Sequence, residues 1–93
     1  MKPSDIIASR LEELKSRYNV EKIGIFGSFG RGDDQSSSDV DILVSFSRPV
    51  DLFTFVELKE YLETLLGRGV DLATENALKP FMKDQVLREV AYL

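Results

Sequence analysis

The sequence predicts an α/β (α+β) fold in which helices flank a small mixed β-sheet. Three observations favour this class: apolar residues recur at helical spacing in separate segments, short apolar runs that suit strands lie between them, and no repeat or linker interrupts the series. The 93 residues are 43% hydrophobic and 30% charged, with 6 Gly and 3 Pro, a composition typical of a compact domain with one core. We therefore expect residues 1–93 to form a single domain.

The chain opens with a predicted helix and a predicted strand. Ser4 can cap the helix, whose amphipathic pattern indicates one buried stripe. The apolar positions of this stripe recur every three or four residues: Ile7, Leu11, Leu14 and Tyr18. The mostly apolar residues 22–26 predict a strand, and the turn-forming residues 27–32 bring it to an end. Residues 33–38 contain only Asp, Gln and Ser, so we expect them to form an exposed loop.

A second strand and a second long helix follow. Residues 39–46 read Asp-Val-Asp-Ile-Leu-Val-Ser-Phe, in which the two acids alternate with apolar residues as in a strand. Asp51 can cap a helix that continues until Gly67 and Gly69. The apolar face predicted for this helix contains Phe55, Leu58, Leu62 and Leu65.

The last predicted elements are a short strand and a closing helix. Residues 70–73 form the strand, and Pro80 fits the first turn of the helix. The candidate core contacts of this helix are Phe81, Val86 and Val90. Strand order stays open, although the helix between the second and third strands leaves room for a parallel crossover.

Composition excludes several kinds of site. The chain has no Cys and no His, so a catalytic metal would be held mainly by carboxylate oxygens, which favours Mg²⁺ or Mn²⁺. A net charge of −4 argues against binding to long nucleic acid, because phosphate neutralisation needs clustered Lys and Arg. No apolar run is long enough to cross a bilayer and the first residues lack a secretory pattern, so we expect a cytoplasmic protein without a membrane partner.

The turn after the first predicted strand could bind phosphate. Gly27 lets an anion approach the main chain, Ser28 adds a hydroxyl donor, and Arg31 could add a fixed positive charge. A P-loop is disfavoured because no Lys follows this turn. The alternative is an ordinary turn with a solvated arginine.

Three aspartates form the second half of the candidate site. Asp39 and Asp41 lie two residues apart on a predicted strand, so their carboxylates point to the same side and repel each other unless a divalent cation lies between them. Asp71 interrupts another short apolar strand and completes a three-carboxylate metal site if the two strands are neighbours. The alternative is that all three are solvent-facing residues.

The spacing of these residues carries a family resemblance. Gly27-Ser28, followed after ten residues by Asp39-Val40-Asp41, resembles the signature of the polymerase-β-like nucleotidyltransferase superfamily. The stretches Phe-Gly-Ser-Phe-Gly-Arg-Gly and Ser-Asp-Val-Asp-Ile-Leu-Val are more narrowly similar to the minimal nucleotidyltransferases of bacteria and archaea. Asp71 fits the third acid of that group, and the resemblance extends over nearly the whole chain.

This resemblance implies a fold and an activity. Members of the group are often antitoxins paired with a HEPN-domain ribonuclease toxin, and some transfer AMP from ATP to a tyrosine of that toxin. The resemblance implies the polymerase-β-like fold, with Mg²⁺ or Mn²⁺ as cofactor, ATP as substrate and a HEPN-family partner. It also implies that Asp39 and Asp41 bind the metal and the triphosphate, that Asp71 acts on the attacking hydroxyl, and that Gly27 and Ser28 seat phosphate.

Two other functions stay open. The chain could neutralise a toxin by occlusion with an inactive site, or it could be a structural domain in which the candidate residues are accidental. Larger nucleotidyltransferases add a domain that helps to grip the base or the acceptor, and these 93 residues leave no room for one. The short length is therefore compatible with a site completed by a partner, in a homo-oligomer or a hetero-oligomer.

Overall fold

The computed structural model describes residues 2–27 and 39–93. Its helices are α1 (Pro3–Ala8), α2 (Leu11–Tyr18), α3 (Leu52–Leu66) and α4 (Pro80–Glu89), with a 3-10 helix at Glu75–Ala77. Its strands are β1 (Val20–Phe26), β2 (Val40–Phe46), β3 (Val70–Thr74) and β4 (Ala91–Tyr92).

The described strands form one mixed sheet in the order β3-β2-β1-β4. β1 is antiparallel to both β2 and β4, whereas β2 and β3 are parallel and are joined through α3. A parallel pair requires a crossover connection, and α3 supplies it. The predicted mixed sheet is therefore confirmed, and the parallel crossover for which the sequence left room is present.

Local chemistry explains where α3 and α4 begin and end. Thr54 donates its backbone N–H to Asp51 Oδ1 at 2.8 Å, which is the predicted N-cap of α3. Gly67 ends α3 in the left-handed region with φ 70°, and its N–H reaches the Glu63 carbonyl at 2.8 Å. Pro80 lies in the first turn of α4, where its missing N–H has no intrahelical partner to lose.

The prediction of one continuous N-terminal helix is wrong. The helix is broken between α1 and α2, where the Ser9 hydroxyl donates to the Ile6 carbonyl at 2.6 Å. A serine side chain bonded to nearby backbone competes with helical pairing, and Arg10 has left the helical region with φ −116° and ψ 13°. Ser4 is not the cap either: α1 begins after Lys2, with Pro3 in its first turn and no side-chain cap.

The C-terminal segment departs from the prediction in two places. Phe81 was expected in the core but is 78% exposed, because α4 buries its opposite side through Val86. β4 was not predicted, since two residues carry no periodic signal. It pairs with β1 beside Gly24, where a Cβ would meet Ala91 O at 2.7 Å and Val90 Cγ2 at 2.8 Å. Glycine at this position lets the end of the chain approach β1.

The sheet has an apolar face and a second face that carries the candidate acids. Val40, Ile42 and Val44 of β2 are at most 1% exposed and belong to the core. This core packs between the sheet and α1, α2 and α3. Alternate residues of a strand point to opposite sides, so Asp41 and Leu43 lie on the other face. The core therefore holds β2 in place while one side of the strand stays available for chemistry.

Candidate active site

The aspartates lie at the end of the sheet where β1 stops and β2 and β3 start. Asp41 pairs with Phe26 across the antiparallel strands and with Asp71 across the parallel strands. Residues paired in this way point to the same face of a sheet. The structure thus brings Asp71 beside Asp41, a pairing that depends on the strand order.

Asp39 lies directly before β2 and packs against the start of β3. Val40 donates its N–H to the Gly69 carbonyl at 3.0 Å, which ties the two strand starts together. A Cβ at Gly69 would overlap with Asp39 Oδ1 and would lie 3.0 Å from Asp39 Cγ. The carboxylate of Asp39 therefore occupies the space that a side chain at position 69 would take.

Gly27 makes the corresponding contact with Asp41. It has φ 70°, a left-handed backbone that suits glycine, and a Cβ at this position would overlap with Asp41 Oδ2. The Gly27 backbone therefore lies directly against the Asp41 carboxylate. This places the first residue of the predicted phosphate-binding turn beside one of the predicted metal ligands.

Burial and two neighbouring acids act on the ionisation of Asp41. Burial raises the pKa of Asp41 above its usual value, and the negative charges of Asp71 and Asp39 raise it further. Like charges that share a site disfavour each other's ionised form. The negative charges of Asp71 and Asp39 at this end of the sheet favour binding of a cation beside Asp41.

The donor set fits a hard divalent cation, although the carboxylates do not converge on one point. Within residues 2–27 and 39–93, no three Asp, Glu, His or Cys side chains lie close enough together to form a complete metal-binding cluster. Carboxylate oxygens are the ligands that Mg²⁺ prefers, and Mg²⁺ usually takes only one or two from the protein together with substrate phosphates. An incomplete set of protein ligands therefore suits an ion that arrives with a triphosphate.

Two of the predicted site residues, Ser28 and Arg31, lie outside the described residues. The site as described consists of Gly27, Asp39, Asp41 and Asp71. Gly27 lies against Asp41, Gly69 lies against Asp39, and Asp71 is opposite Asp41 in the strand register, whereas the joint role of these residues in binding stays a prediction.

Comparison with known proteins identifies the family. A family model described as the nucleotidyltransferase domain matches residues 7–93. This chain belongs to that family. The "Protein adenylyltransferase MntA" of Thermococcus cleftensis is 48% identical to this nucleotidyltransferase over 88 residues, which are 95% of this chain and 89% of the relative.

Solved structures agree with this assignment. One described as a minimal nucleotidyltransferase is 37% identical, with a TM-score of 0.82 over 100% of this chain and 97% of that chain. A crystal structure of a mutant MntA toxin–antitoxin complex is 25% identical, with a TM-score of 0.71 over 92% of this chain and 70% of that chain. The predicted resemblance, the fold and the enzyme class are confirmed.

Sequence reasoning missed two residues that shape the site of this nucleotidyltransferase. Gly69 was interpreted only as a helix terminator, yet it accommodates the Asp39 carboxylate. Glu63 of α3 was not considered, yet its Oε2 accepts the Val70 N–H at 3.1 Å next to Asp71. That hydrogen bond lowers the pKa of Glu63, as does the nearby Lys59 ammonium. The glycine two residues before Asp71 could have indicated the close approach to Asp39. No feature of the sequence indicates that the Glu63 side chain reaches the Val70 N–H.

No helix within residues 2–27 and 39–93 is long and apolar enough to cross a membrane.

Proposed function

We propose that this nucleotidyltransferase is a protein adenylyltransferase that transfers AMP from ATP to a tyrosine hydroxyl of a HEPN-family toxin. It would thereby act as the antitoxin of that toxin in the cytoplasm. The name of the Thermococcus cleftensis relative supports the transfer to protein. The toxin–antitoxin complex among the similar structures supports a toxin as the partner.

The placement of three aspartates at one end of the sheet is the observation that carries the proposal. Asp41 is opposite Asp71 in the strand register, and its pKa is raised by burial and then by the charges of Asp71 and Asp39. Like charges placed together lower the stability of a domain that binds nothing at this position, because they repel each other. Binding of a metal–nucleotide complex would account for the three aspartates at this end of the sheet.

In this proposal Asp39 and Asp41 would hold Mg²⁺, with Mn²⁺ as a substitute. Such an ion would supply positive charge that stabilises the α-phosphate and the leaving pyrophosphate. Val40, Ile42 and Val44 keep the strand in place, because their side chains are buried on its other face. The two carboxylates are therefore held by a rigid support, as a metal site requires.

Asp71 acts on the acceptor hydroxyl. The hydroxyl oxygen bonds to the α-phosphorus, the bond from that phosphorus to pyrophosphate breaks, and the hydroxyl proton passes to Asp71. Pyrophosphate leaves and AMP stays on the toxin as a phosphodiester. Orientation of the oxygen is the main requirement, so the reaction needs neither His nor Cys as a nucleophile, and the chain contains neither.

The turn after β1 seats the phosphates. The glycine backbone of Gly27 passes beside Asp41 without a side chain between the turn and the carboxylate. Ser28 would donate its hydroxyl to a phosphate oxygen and Arg31 would balance the negative charge of the triphosphate. A phosphate held here lies within reach of a cation bound by the acids.

The test is AMP transfer to the candidate toxin. The chain is incubated with ATP, Mg²⁺ and a candidate HEPN-family toxin, and intact mass spectrometry and peptide sequencing locate the adduct. Asp39→Asn, Asp41→Asn and Asp71→Asn should each slow transfer by about 100-fold or more, as removal of a charge-stabilising group typically does. Asp84→Asn is the matched control, because Asp84 is exposed on α4, outside the proposed site.

Three results would count against the proposal. Transfer that survives the loss of both Asp39 and Asp41 would overturn the assigned site. An AMP adduct on a residue other than tyrosine would refute the assignment of tyrosine as the acceptor. Neutralisation of the toxin with no adduct in the wild-type pair would instead favour neutralisation by occlusion, for which exposed Leu52 and Phe53 offer an apolar surface.

A further inference from the structure

Glu63 fixes the connection between α3 and β3 through its main-chain carbonyl and its side-chain carboxylate. The Glu63 carbonyl accepts the N–H of Gly67 at 2.8 Å, and Glu63 Oε2 accepts the N–H of Val70 at 3.1 Å. Lys59 Nζ lies 3.4 Å from the same oxygen. Glu63 therefore holds both the end of the helix and the start of the strand.

The segment held in this way touches two of the three acids. Gly69 packs against the Asp39 carboxylate, and its carbonyl accepts the Val40 N–H at 3.0 Å. Val70 immediately precedes Asp71. A shift of the Gly69–Val70 segment would consequently change the positions of Asp39 and Asp71 together, while Asp41 is held by β1 and β2.

We propose that Glu63 is a positioning residue: by holding the Val70 N–H, it sets the separation of the Asp39 and Asp71 carboxylates from Asp41. The inference rests on the proposed function, because it concerns the same metal–nucleotide site. Glu63 does not touch the reacting groups and acts only through the start of β3. Loss of a group that orients metal ligands typically lowers metal affinity or activity about 10- to 100-fold.

Three variants separate positioning from simple stabilisation. Glu63→Ala removes the acceptor, Glu63→Gln keeps an acceptor oxygen without the charge, and Glu60→Ala removes a carboxylate from an exposed position of the same helix. The readouts are the Mg²⁺ concentration at half-maximal AMP transfer, calorimetric affinity for a non-hydrolysable ATP analogue with Mg²⁺, and hydrogen exchange of the Val70 amide.

We expect Glu63→Ala to raise the half-saturating Mg²⁺ concentration about tenfold and to weaken binding of the analogue to a similar extent. The Val70 amide should lose its protection from exchange. Glu63→Gln should restore the Mg²⁺ requirement to within about threefold of wild type, because its amide oxygen can still accept this hydrogen bond. Glu60→Ala should match the wild type in all three readouts.

A purely structural role would give a different result. The inference is wrong if folded Glu63→Ala has a lower melting temperature but an unchanged Mg²⁺ requirement and unchanged affinity for the analogue. If Glu63→Ala does not fold, Glu63→Asp, whose carboxylate is one methylene shorter, takes its place with the same expected shift. A wild-type chain that binds Mg²⁺ and the analogue but does not transfer AMP would overturn the proposed function alone. A wild-type chain that binds neither would overturn both.

Discussion

Replacing Gly69 with Ala should abolish most activity while leaving the fold nearly intact. Among the described glycines only Gly27 and Gly67 have a positive φ, so Ala at position 69 meets no left-handed strain. Its methyl group would instead overlap with the Asp39 carboxylate, and the nearest oxygen would have to retreat by about 1 Å to reach ordinary contact. That oxygen ends an exposed side chain, so rotation relieves the overlap.

The loss of stability and the loss of activity expected for Gly69→Ala differ greatly in size. Forcing the Asp39 side chain off its preferred rotamer costs about 1 kcal/mol, which corresponds to a fall of about 5 °C in melting temperature for a domain of this length. A misplacement of about 1 Å in a catalytic group can reduce the rate about 100-fold. The variant should therefore lose activity far in excess of its lost stability.

Gly67→Ala is the matched control. Gly67 has φ 70° but no atom lies within 4 Å of the position of its Cβ, so alanine there introduces strain without a contact. The left-handed backbone costs about 1–2 kcal/mol, so stability should fall at least as far as in Gly69→Ala. Transfer of AMP by the folded protein should stay at the wild-type rate.

The assay compares both variants with the wild type. Thermal unfolding in EDTA gives the stability, and initial rates of AMP transfer at saturating ATP and Mg²⁺ give the activity. The reasoning fails if Gly69→Ala is as active as the wild type, since Asp39 would then tolerate displacement. It also fails if Gly67→Ala loses as much activity as Gly69→Ala, since activity would then follow stability rather than contact with Asp39.

Three other predictions concern stability without metal. Asp41→Asn should raise the free energy of unfolding at neutral pH, by about 1 kcal/mol at most after solvent screening, because the raised pKa of Asp41 makes its ionised form unfavourable in the folded state. Denaturant titrations at several pH values should show that this gain in stability vanishes as the pH falls below the usual aspartate range. There the wild-type Asp41 is protonated in both the folded and the unfolded state. A gain in stability that grows in acid would contradict the prediction. Asp51→Ala should lower stability instead, because the Thr54 N–H holds the pKa of Asp51 below its usual value; the difference from wild type should be largest above that range and shrink as the pH falls through the lowered pKa. Phe81→Ser should change the free energy of unfolding by no more than about 0.5 kcal/mol, whereas Leu62→Ala, at a buried position, should cost about 2–5 kcal/mol; equal losses in chemical denaturation would mean that Phe81 is buried in solution.

Local features of the fold were predictable because their causes are local. The cap at Asp51 depends on a residue three positions away, and the alternation of Asp39 and Asp41 with apolar neighbours fixes the side to which they point. The break after Ser9 was missed because an amphipathic stripe continues through it, although the serine hydroxyl interrupts helical pairing. The spacing of apolar residues predicts which face of a helical segment is buried. It does not predict whether that face belongs to one continuous helix or to two helices.

Features that depend on tertiary placement were harder to predict from the sequence. Asp71 could be named from its sequence context, but its contact with Asp41 required the parallel pairing of β2 with β3. Phe81 fits an apolar position of a helix, yet the direction of α4 turns it to solvent. The role of Gly69 follows only when β3 starts beside Asp39. In each case the missing information was the identity of the neighbouring strand or helix.

The strand that carries the acids links stability to the site. In β2, Val40, Ile42 and Val44 are buried on one face while Asp41 is on the other. Because side chains alternate with a period of two, a slip of one residue would bury the acid and expose the core. The burial of these apolar residues therefore also fixes the register of the site. It offsets the cost of Asp41, whose pKa is raised by its own burial and by repulsion from Asp71 and Asp39. A cation bound with a triphosphate would relieve that repulsion, so we expect ligand binding to stabilise this domain and to draw its carboxylates together without rearranging its sheet.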